Sequence, residues 1–217
     1  MVYDTILFDL DGTLLNTLQD LQSAVNHTLL EAGYPQRSLE EVRRFVGNGL
    51  RNLMRLSLPA GADDEEIDRC TAAMRAWYNS HDREYTLPYP GILPLLDRLA
   101  AAGCAVAVVS NKVDEAVKDL CAHYFGGRVA AAVGEMDGLR RKPWPDTVEL
   151  ALRQLGADKT RTVYIGDSEV DLATARNAGL PCISVSWGFR DEAELLAAGA
   201  GPLVSTPEEL WEVLQGA

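Results

Sequence analysis

Short apolar runs, each the length of one buried strand, alternate with helix-period segments along most of this chain, and that alternation leaves few folds open to it. The runs are Thr5 to Phe8, Ala105 to Val109, Val129 to Val133, Thr162 to Ile165 and Cys182 to Val185. Between them, apolar residues return at helical spacing: Leu93, Leu96 and Leu99; Val113, Val117, Leu120 and Tyr124; Val148, Leu152 and Leu155; Leu172, Ala175 and Ala178. Strands that are apolar throughout, rather than at every second residue, are covered on both faces. The pattern therefore predicts an α/β fold, a doubly wound parallel sheet with helices on either side.

One stretch breaks the alternation. From residue 16 to 87 there are helical stripes and no convincing strand: Leu18, Leu21, Val25 and Leu29; then Leu50, Leu53, Met54 and Leu58; then Ile67, Cys70, Met74, Trp77 and His81. The acidic run Asp63 to Glu66 suits the amino end of the third helix, and Pro88, Pro90 and Gly91 mark the return to the main fold. The expected organisation is a core of residues 1–15 and 88–217 carrying an all-helical insert of residues 16–87.

Composition narrows the function classes. The 217 residues are 47% hydrophobic and 24% charged, typical of a globular protein. Acids outnumber bases 32 to 20, a net charge of -12, which argues against a broad surface for nucleic acid or an anionic membrane. Six of those acids lie between residues 191 and 217, where there is no Lys or Arg, and read as a solvated helical face. Cys70, Cys104, Cys121 and Cys182 form no C-x-x-C pair and read as reduced core residues. No run approaches a membrane span, and the expected compartment is the cytoplasm.

The chemistry sits where strands end. The first run leads into Asp9-Leu10-Asp11-Gly12-Thr13, the second into Ser110-Asn111-Lys112, and the fourth into Gly166-Asp167-Ser168-Glu169-Val170-Asp171. In a doubly wound sheet these carboxyl ends open onto the ligand crevice. Each residue has a structural alternative when taken alone: Asp9, Asp11 and Asp171 as helix caps, Ser110 as a turn residue, and Lys142 of Arg141-Lys142-Pro143-Trp144-Pro145 as a solvated loop lysine. Taken together, four carboxylates converging on one crevice require a compensating cation. Aspartate oxygens without a His or Cys partner suit Mg2+. His27, His81 and His123 are dispersed and receive no catalytic role.

Asp9 to Thr13 matches the D-x-D-G-T signature of the haloacid dehalogenase superfamily, which this chain resembles over nearly its whole length. Ser110, Lys142 and the Gly166-to-Asp171 segment match the later family motifs in order, and the helical insert is similar to the cap of the branch that includes phosphoglycolate phosphatases. The resemblance implies a Mg2+-dependent phosphomonoester hydrolase acting on a small phosphorylated metabolite such as phosphoglycolate. Asp9 would attack phosphorus to form an aspartyl phosphate, and Asp11 would act as acid and then base. Asp9, Asp11 through its main-chain carbonyl, and Asp167 would hold the metal, with Asp171 a further ligand or support. Ser110, Asn111 and Lys142 would hold the phosphoryl oxygens. Dehalogenases lack the acid at the position of Asp11 and phosphonate hydrolases carry a small residue there, so both are disfavoured.

Within the insert, Gly47-Asn48-Gly49 places a turn ahead of a helix where amides can face an anion, and Arg43, Arg44, Arg51 and Arg55 flank it. Gly47, Asn48 and Arg51 are the candidate substrate-binding residues, since Arg pairs a carboxylate bidentately. Trp187-Gly188-Phe189 is a further candidate lining near Asp167. Two alternatives stay open: a sugar phosphomutase, resembling β-phosphoglucomutase and sharing the core motifs, and a phospho-receiver signalling domain, which the insert and Asp11 oppose. Oligomeric state is not legible.

Overall fold

The computed structural model describes residues 1–216. In chain order the elements are β1 (Thr5–Phe8), β2 (Leu15–Asn16), α1 (Leu18–Glu31), α2 (Leu39–Phe45), α3 (Gly49–Ser57), α4 (Asp64–His81), β3 (Leu87–Pro88), α5 (Ile92–Ala101) and β4 (Ala105–Val113). There follow α6 (Asp114–Phe125), β5 (Ala131–Glu135), α7 (Asp146–Leu155), β6 (Thr162–Gly166), α8 (Glu169–Ala178), β7 (Cys182–Val185), α9 (Glu192–Ala197), β8 (Leu203–Val204) and α10 (Pro207–Gln215). The chain divides into two compact units, one of Met1–Leu15 with the chain from Pro88 onward, the other Asn16–Leu87.

In the first unit a six-stranded parallel sheet has the order β5-β4-β1-β6-β7-β8. Strand alternation divides the core. Ile6 and Phe8 face a cluster with Ile92, Leu96, Leu120 and Leu210 of α5, α6 and α10, while Leu7 faces Val148, Ala151 and Ala175 of α7 and α8. Helices thus cover both faces, which is why the strands are predominantly apolar on both sides. Each fully buried Leu, Ile or Phe here contributes about 2 kcal/mol. Central β1 is paired with β4 on one side and β6 on the other, so the sheet's order reverses there and the carboxyl ends of these three strands border the crevice.

One expectation needs correcting. The second apolar run does not stop at Val109: β4 continues through Ser110, Asn111 and Lys112, and Val113 pairs with Glu135 after a register shift. Three polar residues in succession look like a turn, but here they extend a strand. The acids of the terminal segment do lie on solvated faces, all six of them exposed at α9 and α10, while Leu195, Leu210 and Leu214 on the opposite faces are fully buried.

The second unit is helical. In α1, Asp20 is buried and accepts hydrogen bonds from the main-chain N–H groups of Tyr85 and Thr86 at 3.0 and 2.9 Å and from the Thr86 hydroxyl at 2.7 Å. Helix α2 is only seven residues long, and Val42 is its one buried residue. It is started by a reciprocal cap in which Ser38 Oγ accepts from Glu41 N–H and the Glu41 carboxylate accepts from Ser38 N–H. Trp77 stacks with His27 and His81, at centroid separations of 5.1 and 3.9 Å, giving both histidines packing roles. The four cysteines are free thiols, Cys70 and Cys121 buried, Cys104 and Cys182 half-buried. Among the described residues no helix is long and apolar enough to cross a membrane.

Candidate active site

β1 ends at Phe8, and the next residues turn tightly because the Leu10 carbonyl accepts the N–H groups of Thr13, Leu14 and Leu15. This loop separates two carboxylates that simple strand alternation places together. Asp9 points to Lys142, whose ammonium donates to Asp9 Oδ1 at 2.7 Å and to Asp171 Oδ1 at 2.8 Å. Asp11 instead meets β4: Ser110 Oγ donates to its Oδ2 at 3.5 Å, and Lys112 Nζ lies 3.3 Å from its Oδ1.

Carboxylate oxygens of Asp9, Asp167 and Asp171 all lie within 4.8 Å of one another, and all three residues are buried. The expectation of four converging side chains is corrected to three: the Asp11 carboxylate lies outside this group, engaged by Ser110 and Lys112. Burial, then the charge of Asp171, pushes Asp9 well above the usual carboxylate range against the pull of Lys142. The same two causes push Asp167 up to about 7, against hydrogen bonds from Phe189 N–H and the Thr13 hydroxyl. Burial would depress the Lys142 ammonium, but Asp171 and Asp9 outweigh it and hold Lys142 well above the ordinary lysine range.

Three carboxylates against one ammonium leave an excess of buried negative charge lined by oxygen donors. That donor set fits a hard divalent cation.

The surroundings fix each group. Thr13 Oγ1 donates to Asp167 Oδ1 at 2.9 Å, and Phe189 N–H donates to Oδ2 at 2.7 Å. Gly12, at φ 96°, and Gly188 both crowd this carboxylate. A Cβ on either would fall 2.4 Å from Asp167 Oδ2, so neither position admits a side chain without displacing it. Trp187 Nε1 donates to the Thr13 carbonyl at 3.0 Å, which ties the segment after β7 to the loop after β1. Asp171 is met on both oxygens, Oδ2 by Ser168 Oγ at 2.6 Å and Oδ1 by Lys142 and by the Tyr164 hydroxyl at 3.1 Å.

Lys142 lies outside any helix or strand, followed by a cis bond to Pro143. Asn111 braces it: Asn111 Nδ2 donates to the Lys142 carbonyl at 3.2 Å, and Lys142 N–H donates to Asn111 Oδ1 at 2.8 Å. The amide expected at the phosphoryl oxygens thus grips the main chain of the residue that carries the cation.

Tyr164 escapes sequence reasoning, which counts it as a strand residue of the core. It is fully buried, yet its hydroxyl accepts from Lys142 Nζ at 3.1 Å and donates to Asp171. Thr13, Ser168 and the Phe189 amide were legible only as members of the quoted motifs, not by role. In the helical unit, Gly47 and Asn48 precede α3, with Asn48 at its cap position. Arg51 is held by Asp64 at 2.7 Å and Asp68 at 2.6 Å, Arg43 by Glu40 at 3.0 Å, and Arg55 by Asn52 at 2.8 Å.

Comparison with known proteins places this geometry. Residues 6–185 match the family model of the haloacid dehalogenase-like hydrolases. The phosphoglycolate phosphatase of Pseudomonas putida is 34% identical over 191 residues, covering 85% of this chain and 70% of that protein. That of Xanthomonas campestris is 33% identical over 213 residues, covering 95% and 94%. A crystal structure from Lactobacillus delbrueckii subsp. bulgaricus, provisionally described as a phosphoglycolate phosphatase, superimposes with a TM-score of 0.93 at 36% identity over 99% of both chains. A mutant of CbbY from Rhodobacter sphaeroides, in complex with xylulose-(1,5)bisphosphate, gives 0.76 at 27% identity over 96% of both chains.

Proposed function

The chain belongs to the haloacid dehalogenase-like hydrolases and is a phosphatase of that family, and from this premise we propose a Mg2+-dependent phosphomonoesterase acting on a small phosphorylated metabolite, phosphoglycolate foremost. The observation that carries it is the position of the Lys142 ammonium between Asp9 and Asp171, with Asp11 held apart by Ser110 and Lys112. One carboxylate is thereby available to attack phosphorus and another to manage the proton of the departing oxygen.

An Asp9 oxygen attacks phosphorus as the bond from phosphorus to the ester oxygen breaks, and Asp11 delivers its proton to the departing alkoxide. Water then attacks the aspartyl phosphate and gives a proton to Asp11. The bond between phosphorus and Asp9 breaks, and inorganic phosphate leaves. Ser110 donates a hydrogen bond to a phosphoryl oxygen and Lys142 offsets the phosphoryl charge, while Asn111 keeps the Lys142 loop in place. The Asp9 and Asp167 carboxylates and the Asp11 carbonyl would hold Mg2+, with Asp171 as further ligand or support. When bound, the ion supplies charge compensation for the phosphoryl group. Residues 47, 48 and 51 carry no step of this scheme.

The test is phosphate release from a panel of phosphorylated metabolites, phosphoglycolate and hexose phosphates included, with Mg2+ and with EDTA. Release from phosphoglycolate that falls at least about 100-fold on chelation is the expected result. Conversion of a hexose phosphate to its isomer without net release would instead establish a mutase.

A further inference from the structure

The site holds two lysines, and they do different work. Lys142 stands among Asp9, Asp171 and Tyr164, on the side of the nucleophile. Lys112 stands on the other side: its ammonium is 3.3 Å from Asp11, with 7% of its side chain exposed. Its main chain is fixed by β4 and by the N–H it donates to Ser110 Oγ at 3.2 Å, so Ser110 and Lys112, two residues apart, address Asp11 from one side of the strand. Asn111, between them, turns the opposite way to the Lys142 loop.

Phosphoryl transfer places the attacking and departing oxygens roughly in line on opposite sides of phosphorus. With Asp9 as nucleophile and Asp11 serving the departing oxygen, the leaving group extends past Asp11, toward Lys112. A nearly buried ammonium there is costly unless it faces negative charge, and it favours a leaving group that brings its own. An ester of a short hydroxy acid meets this condition, because its carboxylate follows the ester oxygen after a single carbon.

We infer that Lys112 is a specificity-determining residue that binds the carboxylate of the leaving group, selecting phosphomonoesters of short hydroxy acids over neutral alkyl phosphates. This rests on the phosphatase scheme above and adds to it a residue that the family motifs do not include. Because Lys112 also touches Asp11, its removal slows every substrate. The distinguishing quantity is the ratio of kcat/KM for 2-phosphoglycolate to kcat/KM for 2-hydroxyethyl phosphate, in which a hydroxymethyl group replaces the carboxylate.

Three proteins, wild type, Lys112→Met and Lys112→Arg, are assayed with both esters and with p-nitrophenyl phosphate at saturating Mg2+, and folding is checked by circular dichroism. Lys112→Met is expected to lower the ratio about 30-fold, as for loss of one partner of a desolvated charge pair, while Lys112→Arg keeps it within about threefold of wild type. If Lys112→Met does not fold, Lys112→Gln provides the same comparison. A ratio unchanged in the neutral variant overturns the inference and leaves Lys112 acting through Asp11 alone. A wild type that hydrolyses p-nitrophenyl phosphate but neither alkyl ester also overturns it, with the phosphatase scheme intact. Failure on all three substrates overturns the scheme itself.

Discussion

Asp20 in the helical unit and Asp167 in the α/β unit are equally buried, and both accept hydrogen bonds from neutral donors, yet the protein uses them in opposite ways. Asp20 receives the N–H groups of Tyr85 and Thr86 and the Thr86 hydroxyl. Fixed dipoles replace its lost water, and the carboxylate ties the start of the insert to its end. Asp167 has comparable donors in Thr13 and Phe189 but shares its surroundings with Asp9 and Asp171, and burial, then the charge of Asp171, pushes it up to about 7. At equal exposure the two differ in their neighbours: dedicated donors make a buried aspartate a structural tie, whereas further carboxylates beside it make it part of a cation site.

The largest effect expected from this contrast is at the nucleophile. Asp9→Asn should lower kcat for phosphate release about 10⁴-fold or more with circular dichroism unchanged, and activity near wild type would remove Asp9 from the chemistry. Next comes a matched pair, read by denaturant unfolding without divalent ions. Asp20→Asn should lose about 2 kcal/mol, since the new amide N–H groups face donors. Asp167→Asn meets the same mismatch at the Phe189 N–H but also relieves repulsion in the cluster, so it should leave stability unchanged or raise it by about 1 kcal/mol. Shifts of the same sign would break the comparison. The smallest effect belongs to Tyr164→Phe, expected to lower kcat about 3- to 10-fold, because Lys142 retains both carboxylates; a loss above about 100-fold would give the hydroxyl a direct part in the reaction.

Much of this architecture was legible because it rests on local rules. β1 and β7 begin and end where their apolar runs do, since strands covered on both faces carry almost only apolar residues, with one small buried polar residue each, Thr5 and Ser184. Helix α2 was not legible from periodicity: it is seven residues long with Val42 its one buried residue, and its signal is the Ser38 and Glu41 cap. β8 has two residues, too few for any period. At the site, motif order pointed to Asp9, Asp167 and Lys142, but not to the divergence of Asp9 from Asp11. That divergence comes from the hydrogen bonds converging on the Leu10 carbonyl, which no residue-type pattern encodes. Tyr164 was hidden for a related reason: its ring obeys the core pattern while its hydroxyl reaches beyond it.

The grip of Asn111 on the loop carrying Lys142 involves only main-chain atoms, which every amino acid except proline presents at position 142. Anchorage and charge are therefore separate inheritances. A change at 142 can silence the ammonium while the latch stays shut, and a change at 111 can open the latch while the ammonium survives, so two lesions with one kinetic signature would have different cures.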